Sequence, residues 1–288
     1  MLLSIKPEIM NKLSTLLSII FLFSFLLACN DSQENNKATS DNMAQFTKDG
    51  KFNDAHELPA KLDLIEKGKP ITYGTPDGKT ASAYFLKAIE ESDKYLFVIH
   101  EWWGLNDHIK QEAERLFEAI GNINVMALDI YDGNVATSRD DAGKFMNMVT
   151  EERANAIING ALAYAGQKAK VATIGWCFGG GWSLKASILA GDQGIGCVIY
   201  YGMPVQKADQ LVNLQAEVLG LFAEKDGWIT PEVVNNFEAI MKATGKAVTT
   251  KQFDADHAFA NPSSPRYEES AAKEANAMAL KFLKEKLM

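Results

Sequence analysis

Runs of apolar residues alternate with amphipathic segments from about residue 70 to the end of the chain. The runs YLFVIH (95–100) and KVATIGW (170–176) are continuous, which is typical of strands buried on both faces of a sheet. The segments that follow such runs have helical spacing, as in 108–120 and 231–245. Strands that alternate with helices of this length predict a mostly parallel sheet with helices on both faces. The predicted fold class is therefore α/β, in one domain.

The first two strands differ from the others. ITYGT and SAYFL flank the turn sequence PDGK, which predicts an antiparallel hairpin. The remaining predicted strands are 124–130, 196–202, 216–224 and 247–253, and the remaining predicted helices are 153–166, 182–191 and 270–287.

An uncharged apolar run, LSTLLSIIFLFSFLLA, lies near the amino terminus, directly after Lys12. It is short for a membrane span and typical of the apolar region of a signal peptide, although an uncleaved anchor is the alternative. It ends in LLAC, which resembles a bacterial lipobox and implies cleavage before Cys29 and a lipid on its sulfur. MNKLSTLL, from Met10, is a second possible start.

This pattern divides the chain into a signal peptide (1–28), a disordered polar tether (29–45) and a globular domain (46–288). The predicted location is the cell envelope, with the lipid as the membrane contact. The formal charge of −8 argues against nucleic acid as a partner, because its phosphates need clustered Lys and Arg.

The stretch GWCFG is the strongest chemical signal in the chain. It is a G-x-S-x-G motif with Cys177 in place of serine, between a predicted strand and a predicted helix. The turn would expose the sulfur above the sheet and direct the backbone N–H of Phe178 at an oxyanion, and the helix start should lower the pKa of the thiol. Phosphate-binding loops do not fit, because Leu184 stands where a dinucleotide loop needs glycine and no Gly-Lys-Ser/Thr triplet follows. A buried structural cysteine is the alternative.

A thiol nucleophile needs a base and an acid that orients the base. His257 is the one histidine that follows Cys177 in the sequence. Asp226 lies just past the strand 216–224, where this fold places the acid. The acids that compete with it on sequence alone are Glu224, Asp254 and Asp256.

The loop EWWGLND follows the strand 95–100, and in this fold that loop supplies the second oxyanion N–H. Trp102 is placed to donate its backbone N–H, and Glu101 should lie near the nucleophile. Cys197 lies at the start of a neighbouring parallel strand, so a disulfide with Cys177 is not expected. The four histidines show no paired ligand spacing, so neither a metal nor another cofactor is predicted.

Four stretches, HEWWGLN, IGWCFGGG, EKDGW and DADHAFANP, give the chain a resemblance to the dienelactone hydrolase family over roughly residues 70–287. The resemblance implies an α/β-hydrolase fold with Cys177 as nucleophile, Asp226 as orienting acid and His257 as base. It also implies that Glu101 hydrogen-bonds the resting thiol, and that Trp102 and Phe178 donate to the oxyanion.

The substrate pocket departs from the family pattern. Family members that act on dienelactone hold its carboxylate with two arginines, and Asn261 stands at the position of one of them. Arg139 is the candidate for the other, and Trp103 is a further pocket candidate.

Together the residues and the resemblance predict a hydrolase of a small ester, lactone or thioester that acts through an acyl-enzyme on Cys177. The alternative is a catalytically idle lipoprotein of the same fold that binds a ligand or a partner protein in its pocket.

We expect Cys29→Ala to abolish labelling of the protein by palmitate and to release or mislocalise it, since the lipobox cysteine is the attachment site. Metabolic labelling followed by membrane fractionation measures both. Labelled palmitate on the variant would contradict the lipobox interpretation.

Overall fold

The computed structural model describes residues 43–288, so the predicted signal peptide, Cys29 and most of the predicted tether lie outside the described part. Its centre is an eight-stranded sheet in the order β1-β2-β4-β3-β5-β6-β7-β8. The strands are β1 (Lys69–Gly74), β2 (Thr80–Leu86), β3 (Lys94–Ile99), β4 (Asn124–Leu128), β5 (Lys170–Trp176), β6 (Gly194–Tyr200), β7 (Glu217–Ala223) and β8 (Val248–Phe253).

The sheet is mostly parallel, which confirms the predicted fold class. β1 and β2 form the predicted antiparallel hairpin, and β2 also pairs with β4 in antiparallel fashion. From β4 through β3, β5, β6 and β7 to β8, every neighbouring pair is parallel. The carboxyl ends of these strands therefore meet at one edge of the sheet, where ligands bind in open α/β sheets.

Seven α-helices occur in the described residues: α1 (Gly50–Asp54), α2 (Asp107–Ile120), α3 (Arg139–Met148), α4 (Glu151–Ala165), α5 (Phe178–Ala190), α6 (Pro231–Ala243) and α7 (Glu269–Leu287). Short polar side chains begin several of them. Asn106, Thr150 and Thr230 each accept a backbone N–H from the first turn of the helix that follows. Of these helices, α1 and α3 were not predicted, since α3 buries only Ala142 and Met146 and its periodicity is weak.

The two remaining cysteines are separate and free. Cys197 pairs in register with Thr173, four residues before Cys177 along β5. At roughly 3.3 Å per residue, that offset is beyond disulfide reach, as the sequence predicted. Cys197 is fully buried in the core beside Ser183.

Residues 43–60, here called the N-terminal segment, pack against the domain. Met43 begins a 3-10 helix (Met43–Phe46) and is buried, so packed structure extends at least three residues before the predicted boundary at 46. Phe52, on α1, has no exposed surface and contacts Trp102 and Trp228 edge to face, with ring centroids 5.5 and 5.2 Å away. None of the helices among the described residues is long and apolar enough to cross a membrane.

The turn between β5 and α5 permits no side chain at its glycines. A Cβ on Gly175 would lie 2.0 Å from the carbonyl oxygen of Gly179. A Cβ on Gly179 would lie 2.2 Å from the carbonyl oxygen of Ile99 and 2.4 Å from that of His100. These neighbours are backbone atoms and cannot move aside, so α5 packs against the end of β3 only because glycine occupies these positions.

We expect Gly179→Ala to lower the free energy of unfolding by more than about 3 kcal/mol, since the clash is with backbone. Gly143→Ala, in the middle of α3 where the added Cβ meets nothing within 4 Å, is the matched control. It should raise stability by about 0.5–1 kcal/mol through helix propensity. Urea unfolding followed by tryptophan fluorescence measures both; equal stabilities would contradict the packing argument.

Candidate active site

Cys177 lies on the turn between β5 and α5, at the carboxyl edge of the sheet. Its backbone adopts φ 53° and ψ −117°, a conformation that costs energy for any residue other than glycine. Hydrogen bonds hold it there: the Cys177 N–H donates to Tyr200 O (2.9 Å), and the Gly180 N–H donates to Cys177 O (3.0 Å). The sulfur therefore stands at the amino terminus of α5, as in a nucleophile elbow.

His257 and Asp226 form a buried hydrogen bond beside the sulfur. His257, in the loop after β8, donates from Nδ1 to Asp226 Oδ2 at 2.6 Å. The second carboxylate oxygen of Asp226 accepts the backbone N–H groups of Trp228 (2.8 Å) and Ile229 (3.0 Å). The carboxylate is thus held in one orientation and fixes the proton of His257 on Nδ1, which leaves Nε2 directed away from Asp226.

The structure separates Asp226 from the acids that compete with it on sequence alone. Glu224, Asp254 and Asp256 are all exposed, and Asp254 forms a surface ion pair with Lys225 at 2.7 Å. Asp226 is the buried acid of this group.

The surroundings shift the pKa values of both His257 and Asp226. Burial alone would lower the pKa of His257, but the Asp226 carboxylate and the Cys177 sulfur raise it to about 10. Burial likewise opposes ionisation of Asp226, yet His257 and the two backbone N–H groups hold its pKa below the ordinary value. The ionised Asp226, together with the sulfur once it is a thiolate, therefore stabilises the protonated His257 that forms when the imidazole takes the thiol proton.

The prediction of a lowered thiol pKa is wrong for this conformation. Burial raises the pKa of Cys177, and the opposing effects of His257 and of the Phe178 N–H are smaller. A helix after Cys177 was predicted, although it begins at Phe178 and not at residue 182. The sequence did not show how completely the sulfur is removed from water.

Glu101 lies in the loop after β3, partly buried, with Asn261 against it. Asn261 Nδ2 donates to Glu101 Oε2 at 2.6 Å, while Asn261 Oδ1 accepts from the N–H (2.9 Å) and hydroxyl (2.7 Å) of Ser263. Burial raises the pKa of Glu101 to about 7, against the favourable influence of His257 and Asn261. Asn261 thus positions Glu101.

The two backbone N–H groups predicted as oxyanion donors are those of Phe178 and Trp102. The Phe178 N–H, at the start of α5, interacts with the Cys177 sulfur. None of the described residues accepts a hydrogen bond from the Trp102 N–H. The Trp102 ring is fully buried and packs edge to face on Trp103 at 5.4 Å.

Of the three residues predicted to line the substrate pocket, two lie beside Cys177 and one does not. Trp103 is buried and lines a cavity of about 10 Å³ beside Cys177, together with Asn261. Arg139 instead binds the N-terminal segment: its Nε–H donates to His56 O at 2.6 Å and its guanidinium lies 3.4 Å from the Asp54 carboxylate. It is not among the residues that line this cavity or the groove described next.

A larger groove of about 530 Å³ adjoins the small cavity. The two share Glu101, Asn261 and Ser263, so the groove leads outward from the small cavity that Cys177 lines. Much of its wall is apolar and is formed by Pro59, Ala60, Leu62, Ile109, Trp176, Ala260 and Pro262. Arg115 also lines it, but Glu112 binds this guanidinium through two hydrogen bonds of 2.6 and 2.7 Å.

His56 is the residue at this site that the sequence did not indicate. It follows α1, and its ring packs at a tilt against Trp102 (4.7 Å between centroids) and edge to face against His257 (5.7 Å). Burial and the neighbouring His257 lower its pKa to about 3. No spacing signal links it to Cys177 or His257; only the folding of the N-terminal segment over the site brings it there.

Several known proteins are similar to this chain in sequence. The dienelactone hydrolase family model matches residues 82–287. Protein usf of Aquifex pyrophilus is 30% identical over 206 residues, which cover 67% of this chain and 88% of that protein. Carboxymethylenebutenolidase 1 of Cupriavidus pinatubonensis is 27% identical over 236 residues, which cover 76% of this chain and 97% of that protein.

Solved structures share the fold. A dienelactone hydrolase-like promiscuous phosphotriesterase from metagenomic libraries matches with a TM-score of 0.63 at 20% identity, over 76% of this chain and 99% of that one. An esterase of Pyrococcus furiosus matches with a TM-score of 0.59 at 14% identity, over 81% of this chain and 99% of that one.

The chain therefore belongs to the dienelactone hydrolase family, within the α/β-hydrolases. It is a hydrolase of the carboxylic ester and lactone class that this family represents. The N-terminal segment with His56 precedes the part that the family model matches.

Proposed function

We propose that the protein hydrolyses esters or lactones through a covalent acyl-enzyme on Cys177, with His257 as the base and Asp226 as the orienting acid. The observation that carries the proposal is the buried Asp226–His257 hydrogen bond next to a cysteine on a strained strand-to-helix turn. A structural cysteine would need neither the strained backbone nor a buried, oriented imidazole beside it.

The first half of the reaction transfers the acyl group to sulfur. As Cys177 Sγ attacks the carbonyl carbon, His257 Nε2 takes the thiol proton, and the carbonyl oxygen becomes an oxyanion. The N–H groups of Phe178 and Trp102 are the donors for that oxyanion. When the intermediate collapses, the C–O bond breaks and His257 gives its proton to the leaving alkoxide, which yields a thioester and an alcohol.

The second half returns the enzyme to its resting state. Water attacks the thioester carbon while His257 Nε2 takes one of its protons. The oxyanion forms again at the same donors and collapses, the C–S bond breaks, and the thiolate recovers the proton from His257. The acid product leaves, and no external reductant or oxidant is required.

Glu101 keeps the resting site in a low-reactivity state. Its negative charge contributes to raising the pKa of the Cys177 thiol, alongside the dominant effect of burial. A substrate carbonyl that displaces Glu101 or shields its charge would remove this contribution, so that the thiolate forms when substrate is present.

The groove favours substrates without a carboxylate. Its wall is largely apolar, its arginine is already bound by Glu112, and Arg139 holds the N-terminal segment instead. Where a carboxylate clamp would need a cation, Asn261 offers an amide that is already engaged with Glu101.

We further propose that the enzyme is anchored in the cell envelope by lipid on Cys29. The support is the apolar run followed by LLAC in the sequence. The anchor would hold the domain at the membrane through residues 30–42.

We expect Cys177→Ala and His257→Ala each to lower kcat/KM for the best ester by about 10³-fold or more, because members of a triad act as a unit. Asp226→Ala should cost less, and Cys177→Ser should retain a small activity because the oxyanion donors are backbone groups. Cys197→Ala, a buried thiol outside the site, is the control and should leave turnover nearly unchanged. Wild-type turnover by Cys177→Ala would favour the idle ligand-binding alternative; thermal unfolding of each variant checks the fold.

We expect p-nitrophenyl esters of uncharged acyl groups to be hydrolysed with a kcat/KM at least equal to that of esters carrying a second, free carboxylate. Arg139→Ala should leave the ratio of the two values unchanged, since its guanidinium binds the backbone of His56. A strong preference for the carboxylated ester that disappears in Arg139→Ala would contradict this view of the groove.

A further inference from the structure

Three metal-ligand side chains converge at one buried point. One ring nitrogen each of His56 and His257, and Cys177 Sγ, all lie within 4.8 Å of one another. The three residues are 8%, 1% and 2% exposed. They come from three separate parts of the chain, and His56 lies outside the stretch that the family model matches.

Hydrogen bonds fix the tautomers of both imidazoles. His56 Nδ1 lies 2.7 Å from the carbonyl oxygen of Phe52, and His257 Nδ1 lies 2.6 Å from Asp226 Oδ2. Because a carbonyl or carboxylate oxygen only accepts, each Nδ1 carries the proton. In the neutral rings, both Nε2 atoms therefore present lone pairs. The Cys177 sulfur interacts with the His257 ring, whereas His56 Nε2 has no hydrogen-bond partner among the described residues.

A single thiol cannot donate a hydrogen bond to both of these Nε2 atoms. Cys177 offers one proton, so at most one of the two lone pairs can accept it. His100, another buried histidine, shows the ordinary solution: its Nδ1 donates to Glu101 O (2.7 Å) and its Nε2 accepts from the Ile130 N–H (3.2 Å). His56 lacks the second partner that His100 has, and an unsatisfied buried acceptor is costly.

A divalent ion of the zinc type would satisfy all three groups at once. Zinc prefers cysteine and histidine ligands in tetrahedral geometry, with ligand atoms about 3.5 Å apart, so contraction of about 1 Å suffices here. Carboxylate and carbonyl partners on Nδ1 are what orient zinc-binding histidines elsewhere. The cavity of about 10 Å³ beside Cys177 leaves space for one water as the fourth ligand.

We propose that His56, Cys177 and His257 form a Zn²⁺-binding site that reversibly blocks the nucleophile. Binding releases the thiol proton, places the thiolate on the metal, and occupies the Nε2 lone pair that would otherwise accept a proton. The ion is an inhibitor here and takes no part in hydrolysis. The N-terminal segment, which precedes the part that the family model matches, supplies the third ligand, His56.

The test titrates Co²⁺ and Zn²⁺ into the full chain, purified in detergent, with Cys29→Ala in every sample so that Cys177 and Cys197 are the remaining thiols. We expect one Co²⁺ per chain, a thiolate-to-cobalt charge-transfer band, the intense visible bands of tetrahedral cobalt, and displacement by Zn²⁺. Cys177→Ser should abolish the charge-transfer band. His56→Phe, which keeps a ring against Phe52 and Trp102, should weaken affinity by at least about 100-fold, since loss of even an orienting partner costs about 10–100-fold.

Two control variants should keep the spectrum and the affinity: Cys197→Ala, which removes the other buried thiol, and His108→Phe, which removes a histidine bound to Ala60 O outside the cluster. Zn²⁺ should also inhibit ester hydrolysis, with full recovery after chelation and with weaker inhibition of His56→Phe relative to its own metal-free rate. Unchanged affinity in folded His56→Phe, or an unchanged charge-transfer band in Cys177→Ser, would overturn the proposal. The cobalt spectrum and the metal affinity test the proposal independently of whether the protein hydrolyses esters.

Discussion

The close contact between the β5–α5 turn and the end of β3 is the constraint on which the rest of the site depends. Because Gly179 has no Cβ, the first turn of α5 reaches the carbonyl oxygens of Ile99 and His100. Cys177, two residues earlier on the same turn, adopts a positive φ, and its sulfur lies at the carboxyl edge of the sheet. The same edge carries the loops after β3, β7 and β8, so Glu101, Asp226 and His257 reach the sulfur from strands that all run in one direction.

Burial and neighbouring groups together set the pKa values of these side chains. The low-polarity surroundings raise the pKa values of Cys177 and Glu101, which disfavours two negative charges next to each other in the resting site. Asp226 stays ionised because two backbone N–H groups and His257 surround it, and it keeps His257 ready to hold a proton. Asp226 is therefore the most readily ionised acid of this group, while burial favours the protonated thiol of Cys177.

The N-terminal segment packs over the site. Phe52 fills the space between Trp102 and Trp228, Asp49 accepts the Trp228 indole N–H at 3.0 Å, and Arg139 binds the backbone at His56. These contacts place an additional imidazole against the nucleophile and leave only a small cavity there. A displacement of this segment would change access to Cys177 and the ligands around it together, because the same residues serve both.

The sequence by itself determined the α/β class, the antiparallel hairpin and the elbow motif at Cys177, since apolar periodicity and glycine spacing are local properties of the chain. The family followed from the resemblance of four short motif stretches, which the family model then confirmed. The sequence favoured Asp226 as the orienting acid but could not eliminate Glu224, Asp254 and Asp256, because burial of Asp226 and exposure of the other three arise only when the loops pack. It misjudged the thiol pKa for the same reason: a helix after Cys177 is visible in the sequence, whereas desolvation depends on every chain segment that covers the sulfur. The positions of Arg139 and His56 were decided by tertiary structure alone, through contacts between residues far apart in sequence that no local pattern encodes.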